Sequence, residues 1–225
     1  MIITIGNIKG GVGKSTIACN ITAVLANLGQ SVVLIDGDKQ GSAAEFTNNR
    51  QETLQADAGF TCVRAVGAEV RQAAKGLSQK HDYVIIDAGG QDNPALRAAL
   101  TISDKVIVPL VPKSFEVWAL DAMSELVKEV RETVNEGLEV YAVVNMGFPT
   151  GQDNDFAKTM IKEDYPEFTL IEHVIIHRKA LSDGAGQGLS VMETTQKDRK
   201  AIAEIAALIE DVLQPDNYNI NTMSG

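Results

Sequence analysis

Short apolar runs and longer amphipathic stretches take turns from one end of the chain to the other. The runs Ile2–Gly6, Ser31–Asp36, Phe60–Val66, Tyr83–Asp87, Lys105–Val111, Glu139–Asn145 and His173–Ile176 predict strands. Several of them, SVVLID and KVIVPLV among them, are apolar at consecutive positions, as strands covered on both faces should be. Between them, apolar residues spaced by three and four predict helices near Lys14–Leu28, Glu69–Ser78, Pro94–Ile102, Val117–Asn135 and Asp153–Asp164, with Gly29 as the stop of the first. A last helix, about Lys197–Leu213, places Ile202, Ile205, Ala206, Ile209, Val212 and Leu213 on one face, and Pro215 ends it. The alternation predicts an α/β fold: a doubly wound, mostly parallel sheet with helices on both faces. Functional residues of such a sheet gather at the carboxyl ends of the strands. One domain is expected over residues 1–214, followed by a polar, loose tail over 215–225.

Composition narrows the class without naming it. The chain has 225 residues, 44% hydrophobic and 22% charged, and a net charge of −10, so any contact with DNA must come from a local patch. The start MIITIGNIKGG lacks the basic region of a secretory signal. No apolar run approaches the roughly 18 residues needed to span a bilayer, so a cytoplasmic protein is expected. Cys19 and Cys62 share no motif and are read as free thiols.

The chemistry begins at residues 7–16, NIKGGVGKST. A standard phosphate loop, G-x-x-x-x-G-K-[ST], would put glycine where this chain has Ile8, and a second lysine, Lys9, stands beside the gap. The segment still follows a strand and opens a helix. Gly10, Gly11 and Gly13 let backbone N–H groups turn inward, and the first helical turn adds unpaired donors and a positive dipole end. Lys14 is placed to reach β- and γ-phosphates, and Ser15 to coordinate Mg²⁺. Two further strands end in acids: YVIID in Asp87, where the Mg²⁺ carboxylate of such sites belongs, and SVVLIDGD in Asp36 and Asp38.

KGGVGKST, then DGDKQGSA, then VIIDAGG resembles the deviant Walker A ATPases of the ParA/MinD superfamily, closest to the short ParA-type partition ATPases without an N-terminal DNA-binding domain. The likeness extends along nearly the whole chain: VVNMGF is similar to an adenine-contacting segment, and IIHRKALSDGAGQGLSVME to a stretch that closes the nucleotide pocket. It implies ATP and Mg²⁺ as ligands, with Lys9, Gly10, Gly11, Val12, Gly13, Lys14, Ser15, Thr16, Asn145 and Arg178 around the nucleotide and Ser15, Asp36 and Asp87 around the metal. It further implies that Lys9 reaches across an ATP-bound homodimer to the partner's nucleotide, a cation supplied in trans. Asp38 is then the residue that orients the attacking water, so Lys9, Lys14 and Asp38 form the catalytic set. Hydrolysis in such proteins is slow and stimulated by a partner. The chain departs from the pattern at Lys39, where proline is usual (D-x-D-P-Q), at Ala88-Gly89, where a proline is common, and at His177 before Arg178.

Other features carry less. His173 and His177 are four apart, but a strand spreads them over about 13 Å at ~3.3 Å per residue, too far to share a metal. No cysteine lies near the switch segments, which excludes the iron–sulfur branch of the superfamily. Trp118 and Phe115 are read as core packing. Lys197, Arg199 and Lys200 read either as a solvated helix start or as the non-specific DNA contact that the resemblance implies, with Asp198 in their midst. The leading expectation is a nucleoid-associated ATPase that segregates plasmid or chromosomal DNA with a ParB-type adaptor. The same machine positioning a protein cargo, such as a microcompartment or chemoreceptor cluster, is the alternative. A MinD-type membrane cycle is disfavoured because DNYNINTMSG holds no cation and little apolar bulk, and a ligase-type enzyme because no second substrate pocket is apparent.

Overall fold

The computed structural model describes residues 1–90, 92–112 and 117–213. Seven strands form one sheet: β1 (Ile2–Ile5), β2 (Val32–Asp36), β3 (Thr61–Arg64), β4 (Tyr83–Asp87), β5 (Lys105–Leu110), β6 (Glu139–Gly147) and β7 (Thr169–Ile176). Their order is β3-β2-β4-β1-β5-β6-β7, and every pairing is parallel. The expected doubly wound sheet is therefore present, with all strand carboxyl ends at one rim.

Side-chain alternation divides the core between the two faces. Ile3, Ile5, Leu34, Ile85 and Ile107 point to one side, where α1 (Lys14–Asn27), α2 (Ser42–Leu54), α7 (Lys179–Gly186) and α8 (Arg199–Leu213) cover them. Val33, Ile35, Val84, Ile86, Val106 and Val108 point to the other, under α3 (Glu69–Leu77), α4 (Pro94–Leu100), α5 (Val117–Thr133) and α6 (Asp153–Asp164). Both faces of the central strands are thus dry, which is why their sequences show consecutive apolar residues rather than alternation.

The structure corrects the sequence reading in several places. Helix α2 escapes a hydropathy search because its buried positions are Ala43, Phe46, Thr47 and Arg50, a helical spacing filled half by polar residues. Helix α7, KALSDGAG, carries two glycines and no long apolar stripe. Strand β7 begins at Thr169, four residues before the expected start, and β3 is shorter than expected at its edge of the sheet. Helix α8 begins at Arg199, because the Asp198 carboxylate accepts from the N–H groups of Lys200 and Ala201 at 3.1 Å and so caps it. Trp118 is not core: it is 56% exposed at the start of α5. Phe115, Pro215 and the tail over 215–225 lie outside the described residues.

Candidate nucleotide site

Residues 6–13 leave β1 and curl into α1, and two asparagines fix the curl, Asn7 within the loop and Asn145 from β6. Asn7 accepts from the Lys9 N–H at 2.9 Å and donates to the Pro109 carbonyl of β5 at 2.7 Å. Asn145, at the end of β6, donates to the Val12 carbonyl at 2.7 Å. Gly13 is required twice over. Its φ of 86° lies in the left-handed region, and a Cβ there would stand 2.3 Å from the Asn145 amide nitrogen. Ile8 replaces the usual glycine because its side chain is buried in the apolar cluster with Ala88 and Leu96. Its absence from the standard pattern is a packing feature, and the loop keeps its curvature through Gly11 and Gly13.

The loop forms one wall of a cavity of about 820 Å³. Gly10, Gly11, Gly13, Lys14, Ser15 and Thr16 line it on one side, and Asp38, Lys39, Gly89 and Gly90 on another. The Lys14 ammonium donates to the Lys9 carbonyl at 3.0 Å. Burial holds the Lys14 pKa below its ordinary value, against the opposing fields of Asp87 and Asp38.

Behind the loop stand two fully buried carboxylates in register, Asp36 opposite Asp87 on adjacent strands. They differ in what they hold. Asp36 accepts from the N–H of Asp38 at 3.1 Å and from that of Ala44 at 2.9 Å, so it pins the turn after β2 to the start of α2. Neither oxygen of Asp87 has a hydrogen-bond partner among the described residues. Burial pushes its pKa up to about 7, with the charges of Asp36 and Asp38 adding to the rise. The Ser15 hydroxyl and Lys14 favour the charged form.

A buried, unsatisfied carboxylate beside a helix-N-terminal hydroxyl fits Mg²⁺, which is held by one or two carboxylates together with substrate phosphates. The described residues contain no group of three or more His, Cys, Asp or Glu arranged to hold a metal ion. His173 lies in β7 and pairs with Asp211 at 3.8 Å.

Two expected residues lie elsewhere. Arg178 does not line the cavity: its guanidinium is held by Glu204 at 2.9 Å, with Asp198 at 3.8 Å. Lys9 does not line it either, and its ammonium stands 5.8 Å from the centroid of the Trp118 ring. Asn145 is committed to the loop backbone through Val12. Lys197, Arg199 and Lys200 come together with Lys179 around a separate groove of about 900 Å³ at the start of α8, where the Lys197 ammonium donates to the Met192 carbonyl.

Sequence reasoning missed the clamp behind the site. Arg50 of α2 is buried and gives a forked ion pair to Glu193, at 2.7 and 2.8 Å, while also donating to the carbonyls of Ala58 and Gly188. Gly188 has a φ of 69° and a Cβ there would lie 2.1 Å from the Arg50 nitrogen, so backbone meets backbone at this point. The only signal in the chain was the helical spacing of Arg50 behind Ala43 and Phe46.

The family model described as "CobQ/CobB/MinD/ParA nucleotide binding domain" matches residues 3–191. The maintenance of carboxysome distribution protein A of Halothiobacillus neapolitanus is 27% identical over 214 residues, covering 94% of this chain and 95% of that one. The chromosome-partitioning ATPase Soj of Thermus thermophilus is 30% identical over 167 residues, covering 63% and 67%. Among solved structures, an ATP complex of McdA from Cyanothece superposes with a TM-score of 0.81 at 16% identity over 97% of this chain and 98% of that one, a likeness of fold. With a family match across most of its length and the phosphate loop in place, this chain belongs to the CobQ/CobB/MinD/ParA family of nucleotide-binding domains.

Proposed function

We propose that this chain is an ATP-hydrolysing positioning switch that dimerises around its nucleotide. The observation that carries this is the division of labour within one loop. Lys14 faces the cavity with Asp38, whereas Lys9, five residues earlier, is turned out of it. A cation directed away from its own site is suited to a neighbour's site, the trans role that neutralises charge developing on a transferred phosphoryl group. In this reading Gly10–Thr16 bind the phosphates, Asp38 orients the attacking water, and Ser15 and Asp87 hold Mg²⁺, which when bound offsets phosphate charge, while Asp36 braces the turn behind them. Lys14→Ala should abolish ATP binding, and Asp38→Ala should bind ATP without turning it over; ATP binding by Lys14→Ala would refute the assignment.

The cargo reading follows from the partners. DNA segregation with a ParB-type adaptor is supported by the chromosome-partitioning relatives and by the groove of Lys179, Lys197, Arg199 and Lys200, whose four cations outnumber the carboxylates of Asp183 and Asp198. Doubled by dimer symmetry, that groove would give a non-specific, salt-sensitive grip on nucleoid DNA. A protein cargo is the second reading, favoured by a specific observation: the carboxysome distribution relative aligns along 94% of this chain, the Soj relative along 63%. Affinity capture of the ATP-bound Asp38→Ala protein from its own cells, followed by identification of the co-purifying adaptor, separates the two.

A further inference from the structure

Lys39 stands in the turn after β2, at the position where the sequence pattern calls for proline. The turn does not depend on its side chain. Gly41 donates to the Asp38 carbonyl at 3.2 Å, closing four residues with Lys39 second, the place where proline is favoured. The Asp38 carboxylate accepts from the Gln40 N–H at 3.0 Å, and Arg64 donates to the Lys39 carbonyl at 3.3 Å. Among the described residues, no hydrogen bond uses the Lys39 N–H and no ion pair uses its ammonium. A proline would serve this backbone equally well, so the lysine must be judged by what its side chain reaches.

It reaches the nucleotide cavity, which Lys39 lines together with Gly10, Gly11 and Lys14. The end of the cavity it borders is defined by short approaches. Asp38 packs against Gly89, where a Cβ would come within 3.2 Å of its carboxyl carbon, and a Cβ at Gly90 would come within 3.4 Å of the Lys14 ammonium. The 38–39 turn and the Lys14 head therefore meet at one end, the end a terminal phosphate would take. Without Lys39 the lining holds one ammonium, Lys14, against one carboxylate, Asp38, with Lys9 turned away and the buried Asp36 behind. A lining with no net positive side-chain charge is a poor reception for an incoming polyanion.

We propose that Lys39 is a second phosphate-binding cation supplied in cis, which contacts the terminal phosphate of ATP and makes the site prefer ATP to ADP. The inference rests on the nucleotide-site reading above. A lysine suits the task, being a point charge on a flexible stem that can follow a phosphate from an exposed turn.

The test is the affinity of the parent, Lys39→Gln, Lys39→Arg, Lys39→Pro and Lys14→Ala for fluorescent ATP and ADP analogues with Mg²⁺. Lys39→Gln should weaken ATP about tenfold, the value of one charge-assisted hydrogen bond, and leave ADP unchanged. Lys39→Arg should recover most of the loss, and Lys39→Pro should keep the parent's melting temperature while sharing the defect of Lys39→Gln. An unchanged ratio of ATP to ADP affinity in Lys39→Gln overturns the proposal, whether both affinities fall together or neither moves. Nucleotide binding retained by Lys14→Ala would instead bring down the nucleotide-site reading itself, so the two failures are distinct.

Discussion

Asp36 and Asp87 face each other in the register of β2 and β4, both buried, yet among the described residues only the Asp36 carboxylate is hydrogen-bonded. The pair explains why one strand-end aspartate can act as scaffold while its neighbour stays available for a cation. It also makes the empty site sensitive to pH. The folded pKa of Asp87, about 7, lies above the unfolded value near 3.8, so the native state binds the proton more tightly than the unfolded state. Stability from this group is then fully present at acid pH and is lost as pH rises through about 7. Nucleotide- and metal-free Asp87→Asn should accordingly melt several degrees above the parent at pH 8, at roughly 2–4 °C per kcal/mol for a chain of this size. The gap should shrink as pH falls through 7 and close at about pH 4, near the unfolded value. Thermal unfolding in EDTA at the two pH values checks this, and a parent that is the more stable at pH 8 would refute it.

Trp118 is the chain's one tryptophan, and the Lys9 ammonium stands over its ring. An exposed contact of this kind contributes only about 0.5–1 kcal/mol, weak enough to release the lysine when a partner's phosphates offer more. Its emission should therefore change when ATP is added to Asp38→Ala, and should not change when ATP is added to Lys14→Ala. Steady-state fluorescence is sufficient.

Arg50→Ala should destabilise the fold by about 3 kcal/mol, the lower end for a broken buried pair, because Glu193 loses its guanidinium partner but keeps the bonds from the Ser190 N–H and hydroxyl. Urea unfolding measures this. Replacing both partners, as Arg50→Met with Glu193→Gln, should recover part of the loss by removing the orphaned charge, although the carbonyls of Ala58 and Gly188 would still lack their donor.

Gly13→Ala should fold yet lose nucleotide. The new methyl would drive into the Asn145 amide and the residue would be held at a φ of 86°, so the bond from Asn145 to Val12 must break and the loop must open. A loss of at least about tenfold in ATP affinity is expected, equivalent to about 1.4 kcal/mol. An additional Asn145→Ala change removes the clash but not the strain, and should restore binding only in part.

The sequence announced the sheet because its central strands are buried on both sides and say so in unbroken apolar runs. The phosphate loop and the two acid-tipped strands were legible for a related reason: glycines, a lysine and carboxylates at strand ends are fixed in the chain by chemistry rather than by packing. What stayed hidden depends on contacts between distant segments. Helix α2 buries Thr47 and Arg50, and the reason appears only when Glu193, 143 residues further on, closes over it. Ile8 looked like a defect in a motif until Ala88 and Leu96 were seen around it. Arg178 was expected at the nucleotide, but Glu204 of α8 holds it, a partner that no local pattern signals. Trp118 reads as core on residue type, yet it stands exposed at the start of α5.

The central claim is that ATP brings two copies of this chain together through Lys9. Light-scattering mass of Asp38→Ala, with and without ATP and Mg²⁺, tests it most directly, alongside the same protein carrying Lys9→Ala. The account predicts one chain without nucleotide, two chains with ATP, and a return to one chain when Lys9 is removed. A protein that remains a single chain with ATP bound, or a dimer that forms equally well without Lys9, would contradict it.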